Sequence, residues 1–120
     1  MKSKESEEMY LETIYSLKMN KTAVRAVDVA KELKFTKPSV SRGLGLLKDK
    51  KFISVAENGT ISLTESGRER AKKIYERHVI MTNFFVNIGA SIEVAEENAC
   101  RIEHVISDEL FELIKKQLDN

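Results

Sequence analysis

The sequence predicts a mostly α-helical chain that opens with a winged helix-turn-helix and continues as helices. Two observations predict it. Three helical patterns are followed by two short β-prone runs around "ENG" (57–59), and further helical patterns come after them. Charge divides the chain in the same sense. Residues 1–80 carry 17 Lys/Arg against 11 Asp/Glu and residues 81–120 carry 3 against 8, so a net charge of +1 conceals a basic front and an acidic back.

A length of 120 residues suits one domain, or a small domain with helices that pack elsewhere. The expected division is a winged helix-turn-helix over residues 1–73 and a helical region over 74–120. With 32% charged and 42% hydrophobic residues the composition is globular and not that of a disordered chain. No apolar run approaches a membrane span or a secretory h-region, so a cytoplasmic protein without a membrane partner is expected. A single cysteine excludes an internal disulfide.

Residues 3–20 read as the first helix. Met9, Leu11, Ile14, Tyr15 and Leu17 form its apolar stripe, with Glu7, Glu8 and Glu12 toward the end where the helix dipole favours anions. "NKTAVR" breaks it. "AVDVAKELKF" (26–35) is a second helix and "TKPSVSRGLGLLKDKKF" (36–52) a third, with Thr36 as N-cap and Pro38 in the first turn. Gly43 and Gly45 weaken that helix by about 1 kcal/mol each relative to alanine, for no reason visible in the sequence. "FISVAENGTISL" reads as a hairpin about its Asn-Gly pair. Thr64 caps a long helix to about Asn87, "IGAS" interrupts, Ser91 starts a helix containing Cys100, Glu103 and His104, and Ser107 caps the last one.

Helix, helix, helix, hairpin is the order in which the second helix of a pair enters the major groove of DNA and the wing reaches the adjacent backbone. The candidate DNA-contacting residues are Arg25, Thr36, Lys37, Pro38, Ser39, Ser41, Arg42 and Lys48. Hydroxyls at a helix start can meet phosphates, and Arg42 can fork onto the two acceptors of guanine. Lys34, Lys50 and Lys51 add charge for the backbone. The bland alternatives are capping for the hydroxyls and solubility for the lysines.

The stretch "ACRIEH" (99–104) carries a second chemistry. On a helix Cys100, Glu103 and His104 share one face, converging a thiolate, a carboxylate and an imidazole, three common transition-metal ligands. The alternative is a buried cysteine packing as a small hydrophobe beside two polar surface residues.

"EMYLETIYSL" (8–17), "DVAKEL" (28–33), "KPSVS" (37–41), "LTESGRERA" (63–71), "ERH" (76–78) and "ACRIEHVISDE" (99–109) occur in one order along nearly the whole chain. Together they resemble the diphtheria toxin repressor and manganese transport regulator family of metal-dependent bacterial repressors. The resemblance implies a metal site drawing on Met9, Glu12, His78, Cys100, Glu103 and His104. Met9 and Cys100 are similar to the iron type, whereas the manganese type has carboxylates there and shares the carboxylate at Glu12. A second site of the iron type falls on the positions of Thr82, a poor ligand, and Glu96, a serviceable one.

The thiolate and thioether favour Fe(II), Co(II), Ni(II) or Zn(II) over Mn(II), and Fe(II) is the expected corepressor with Mn(II) second. The resemblance also implies a homodimer on palindromic operator DNA, joined through Ile88, Ile92, Val94, Ile102, Val105 and Leu110. The iron type continues into a further small domain, so a chain ending at Asn120 is a short form or a piece of a longer protein. The protein is expected not to be an enzyme, since it has no HExxH pattern. The alternative is a metal-independent winged-helix regulator that senses a small molecule.

Overall fold

Short-range side-chain chemistry starts most of the helices. Thr36 Oγ1 accepts from the Ser39 N–H at 3.3 Å, Thr64 Oγ1 from Gly67 at 3.2 Å, Ser91 Oγ from Val94 at 3.2 Å and Ser107 Oγ from Leu110 at 3.2 Å. The computed structural model of the chain describes residues 3–119. Its elements are α1 (Ser3–Asn20), α2 (Ala26–Leu33), α3 (Lys37–Asp49), β1 (Ile53–Val55), β2 (Ile61–Leu63), α4 (Glu65–Asn87), α5 (Ile92–Ile102) and α6 (Asp108–Asp119). They form two units, up to Lys72 and from Lys73, so the division falls inside α4.

Helix α2 begins with half of a capping box. The Asp28 carboxylate accepts from the Arg25 N–H at 2.9 Å, while an arginine side chain has no acceptor to return. The second and third helices stop earlier than their sequence patterns suggest. Lys34 and Lys51 take left-handed backbones (φ 59° and 62°), and the next residues turn back, Phe35 N–H to Ala30 O and Phe52 N–H to Leu47 O. That is the Schellman arrangement, with lysine where glycine is usual. Phe35 is thereby released to meet Tyr10 edge-on, with ring centroids 6.1 Å apart. Gly89 (φ 112°) ends α4 in the same way and accounts for the break at "IGAS".

The first unit closes around Tyr10, Leu11 and Ile14 of α1, Val29 of α2, Val40, Leu44 and Leu47 of α3, and Ile53 and Ile61 of the hairpin. Tyr10 Oη donates to Ser39 O at 3.2 Å, and the Tyr10 ring lies where a Cβ on Gly43 would stand. Strands β1 and β2 pair antiparallel with Ile53 opposite Leu63 and Val55 opposite Ile61. Gly59 (φ 88°) completes the turn between them, its N–H on Ala56 O at 2.9 Å. The hairpin is tied to the entry of α2 by Ile61 N–H to Val24 O at 2.7 Å and Arg25 Nε to Asn58 O at 3.1 Å. The buried Glu7 carboxylate pairs with Lys50, just past α3, and with Arg70 of α4 at 3.2 Å.

In the second unit Met81, Ala99 and Phe111 form the core, with Ile80, Phe85, Ile102, Ile106 and Ile114 against them. Ile88, Ile92, Val94, Val105 and Leu110 are exposed. Ile102, expected with them at the dimer contact, instead packs partly buried against this core at the end of α5. No helix among the described residues is long and apolar enough to cross a membrane.

Candidate metal centre

Glu103 and His104 do not continue α5 as the sequence spacing anticipates. Glu103 is the C-cap, its N–H still on Ala99 O at 2.9 Å, and the N–H groups of Val105 and Ile106 both return to Ile102 O. His104 therefore sits in a tight turn beyond the helix. The cause lies on α4. Arg77 Nη1 donates to Glu103 O at 3.3 Å, a carbonyl at the helix end with no partner further along the helix, and to Ile106 O at 3.1 Å in the turn beyond it. Its other nitrogen pairs with Asp108, and the guanidinium stacks over Phe111 at 5.0 Å from the ring centre.

The turn carries Glu103 into a fully buried position, 0% exposed. Its Oε2 lies 3.0 Å from His78 Nδ1 and its Oε1 3.3 Å from His104 Nε2. The hydrogen bond to Glu103 holds the His78 imidazole above the ordinary histidine value, against burial that pushes it down. A buried carboxylate is costly unless a cation or several donors face it. One carboxylate flanked by two imidazoles is also a donor set suited to a first-row divalent metal. The residues present fit such an ion.

The remaining candidates fall in different surroundings. Cys100 and Glu96 are exposed on α5, so the thiol is not the buried hydrophobe of the alternative reading. Thr82 is buried, and its hydroxyl has no hydrogen-bond partner among the described residues. Met9 and Glu12 lie one helical turn apart on α1 in the first unit, both half-buried. Arg77 was not singled out from the sequence. Its carbonyl partners are 26 and 29 residues away, and only the adjacent "RH" pair hinted at it.

On the first unit, Arg25, Thr36, Lys37, Pro38, Ser41, Arg42 and Lys48 are exposed and Ser39 is half-buried. Thr36 and Ser39 hydroxyls bond each other at 3.0 Å, so capping occupies them in part. Arg25 spends its Nε on the wing. Lys37, Ser41 and Lys48 line an open, largely apolar groove with Val27 of α2 and Val55 of β1.

Residues 3–60 match the family described as iron dependent repressor, N-terminal DNA binding domain, and residues 64–120 match iron dependent repressor, metal binding and dimerisation domain. The chain belongs to the iron-dependent repressor family. An uncharacterized HTH-type transcriptional regulator of Methanocaldococcus jannaschii is 34% identical over 113 residues, 92% of this chain and 90% of that protein. The iron-dependent repressor IdeR of Mycobacterium tuberculosis is 32% identical over 114 residues. That match covers 94% of this chain but 50% of IdeR, so the chain spans half the length of that relative. A manganese-dependent transcriptional repressor in complex with manganese shares the fold, with a TM-score of 0.88 at 24% identity over 94% of this chain and 52% of its own. The iron-dependent repressor family thus accounts for the order of the two units, a DNA-binding region followed by a metal-binding and dimerisation region.

Proposed function

We propose that this chain is a homodimeric transcriptional repressor with a divalent metal as corepressor, Fe(II) ahead of Mn(II). The observation that carries the reading is the buried Glu103 carboxylate between His78 and His104. Glu103 and His104 hold the ion, and the family resemblance adds His78, Met9, Glu12 and Cys100 as further donors. Glu96 is left as the one serviceable ligand of a second site. The thioether of Met9 and the thiolate of Cys100 favour Fe(II) over Mn(II), which prefers oxygen and nitrogen. When bound, the metal supplies the positive charge that the Glu103 and Glu12 carboxylates require.

The rest is the work of the chain. Helix α3 reads the major groove, Arg42 at a base edge, while Arg25, Thr36, Lys37, Ser39, Ser41 and Lys48 hold the phosphates and fix register, and Pro38, which has no N–H to donate, offers only apolar contact beside them. The exposed Ile88, Ile92, Val94, Val105 and Leu110 join two copies, which suits a palindromic operator. Metal sharpens DNA binding by the difference in its affinity for the DNA-competent and other states, and about 1–3 kcal/mol makes a useful switch.

The test is affinity for a palindromic operator selected from random sequence, with chelator and then with Fe(II) or Mn(II) under anaerobic conditions. A rise of tenfold or more with metal is expected, roughly 1.4 kcal/mol of coupling, steeper for the preferred ion. Equal affinity in both states would leave a metal-independent winged-helix regulator. Affinity should also fall steeply with salt, since phosphate contacts release counterions.

A further inference from the structure

We infer that Arg77 is a positioning residue of the metal centre, setting Glu103 and His104 without itself donating to the ion. This rests on the metal reading above. The two ligands occupy consecutive positions in a turn, not in a helix whose own hydrogen bonds would fix them. Of the backbone atoms in that turn, Glu103 O and Ile106 O both end on one guanidinium nitrogen, at 3.3 and 3.1 Å. His104 is bracketed between those anchors, and Glu103 is held by its own carbonyl. The anchoring residue adjoins His78 on α4, so one helical segment presents a ligand and fixes the other two.

The geometry needs an arginine. Its planar fork has donors in fixed directions and a flat face, and here one nitrogen serves two carbonyls, another meets Asp108, and the face lies 5.0 Å from the Phe111 ring centre. Lysine keeps the charge but not this set of contacts. The guanidinium side chain is 18% exposed, so water does not readily replace it at the carbonyls. Loosening the turn widens the range of positions open to Glu103 and His104, and the loss falls on metal affinity and on ligand geometry.

The experiment uses the whole chain and Co(II), whose visible absorption reports the ligand arrangement. Competition against a chromophoric chelator gives the affinity, and the melting midpoint of the metal-free chain is measured alongside. Arg77→Lys is expected to bind Co(II) about 10–100-fold more weakly, the usual scale for a residue that orients a ligand, and to show an altered spectrum at saturation. Wild-type affinity and spectrum in Arg77→Lys would overturn the inference. So would weaker binding with a wild-type spectrum that merely tracks a lower metal-free melting midpoint, which would make Arg77 a packing residue. Asp108→Asn covers the case in which Arg77→Lys does not fold, because Asp108 is 93% exposed and tethers the guanidinium from outside. A smaller weakening in the same direction is expected there, and wild-type behaviour overturns the inference. A wild-type chain that takes up no Co(II) removes the metal reading itself, whereas a wild type that binds and variants that bind equally remove only the role of Arg77.

Discussion

The ring of Tyr10 fills the space beside Gly43 that any other residue would need for its Cβ. Tyr10 is 4% exposed and is held at both ends, by Phe35 at its edge and by Ser39 O at its hydroxyl. A glycine that costs the third helix about 1 kcal/mol of propensity therefore allows α1 to approach α3 closely. Two positions on, Gly45 has open space where its Cβ would be. Gly43→Ala should destabilise the first unit by about 1–3 kcal/mol through overpacking. Gly45→Ala should be neutral or stabilise it by up to about 1 kcal/mol. Urea denaturation of both variants checks this, and the opposite signs are what matter.

At the proposed metal centre, His78→Ala and His104→Ala each remove one imidazole from Glu103. Either variant should lose metal affinity by more than about tenfold, since even residues that only orient ligands are worth that much. Metal-dependent operator binding should fall with it, while the far-ultraviolet circular dichroism is retained. A variant with unchanged metal-dependent binding removes that histidine from the ligand set.

Arg42 tests the proposal that α3 reads the operator. It is exposed on α3, and among the described residues its side chain makes a long hydrogen bond, 3.5 Å from Nη2 to Ser39 Oγ. Arg42→Ala should cost about 1–3 kcal/mol of operator affinity and relax the preference at one base pair. An equal loss on every operator variant would identify a phosphate contact instead.

Asp28 makes the entry of α2 sensitive to acid. Its carboxyl is held below the ordinary 3.8 by the Lys21 ammonium first and by the Arg25 N–H second. A lowered folded-state value means that the stabilisation is fully present above the ordinary value and is lost as pH falls through the folded one. Asp28→Asn should accordingly be less stable than wild type at neutral pH, and the gap should begin to shrink near the ordinary 3.8 and close once pH falls below the lower folded value. Urea midpoints across pH 2–7 would show it; a gap independent of pH would point to the amide's fit and not to charge.

What was legible in the sequence was what short-range chemistry decides. Thr36, Thr64, Ser91 and Ser107 could be read as caps because each bonds an N–H three residues ahead. The hairpin was visible because Gly59 must take a positive φ. Helix ends were harder. Lys34 and Lys51 give no glycine signal for their left-handed turns, and the end of α5 depends on an arginine from α4. The spacing of Cys100, Glu103 and His104 placed all three on one helix face, but that geometry lapses where the helix stops at Ile102. The purpose of Gly43 was likewise hidden, because Tyr10 lies 33 residues upstream.

The Glu7 carboxylate binds the history of three positions together. It pairs with both Lys50 and Arg70, and Arg70 in turn lies 3.6 Å from Glu8 and over the Phe52 ring. A change at Glu7 alone leaves Lys50 without this carboxylate and Arg70 with only Glu8, 3.6 Å away, to face. Relatives that depart from glutamate at this position should depart at the other two as well, and three distant sites would then be inherited as one character.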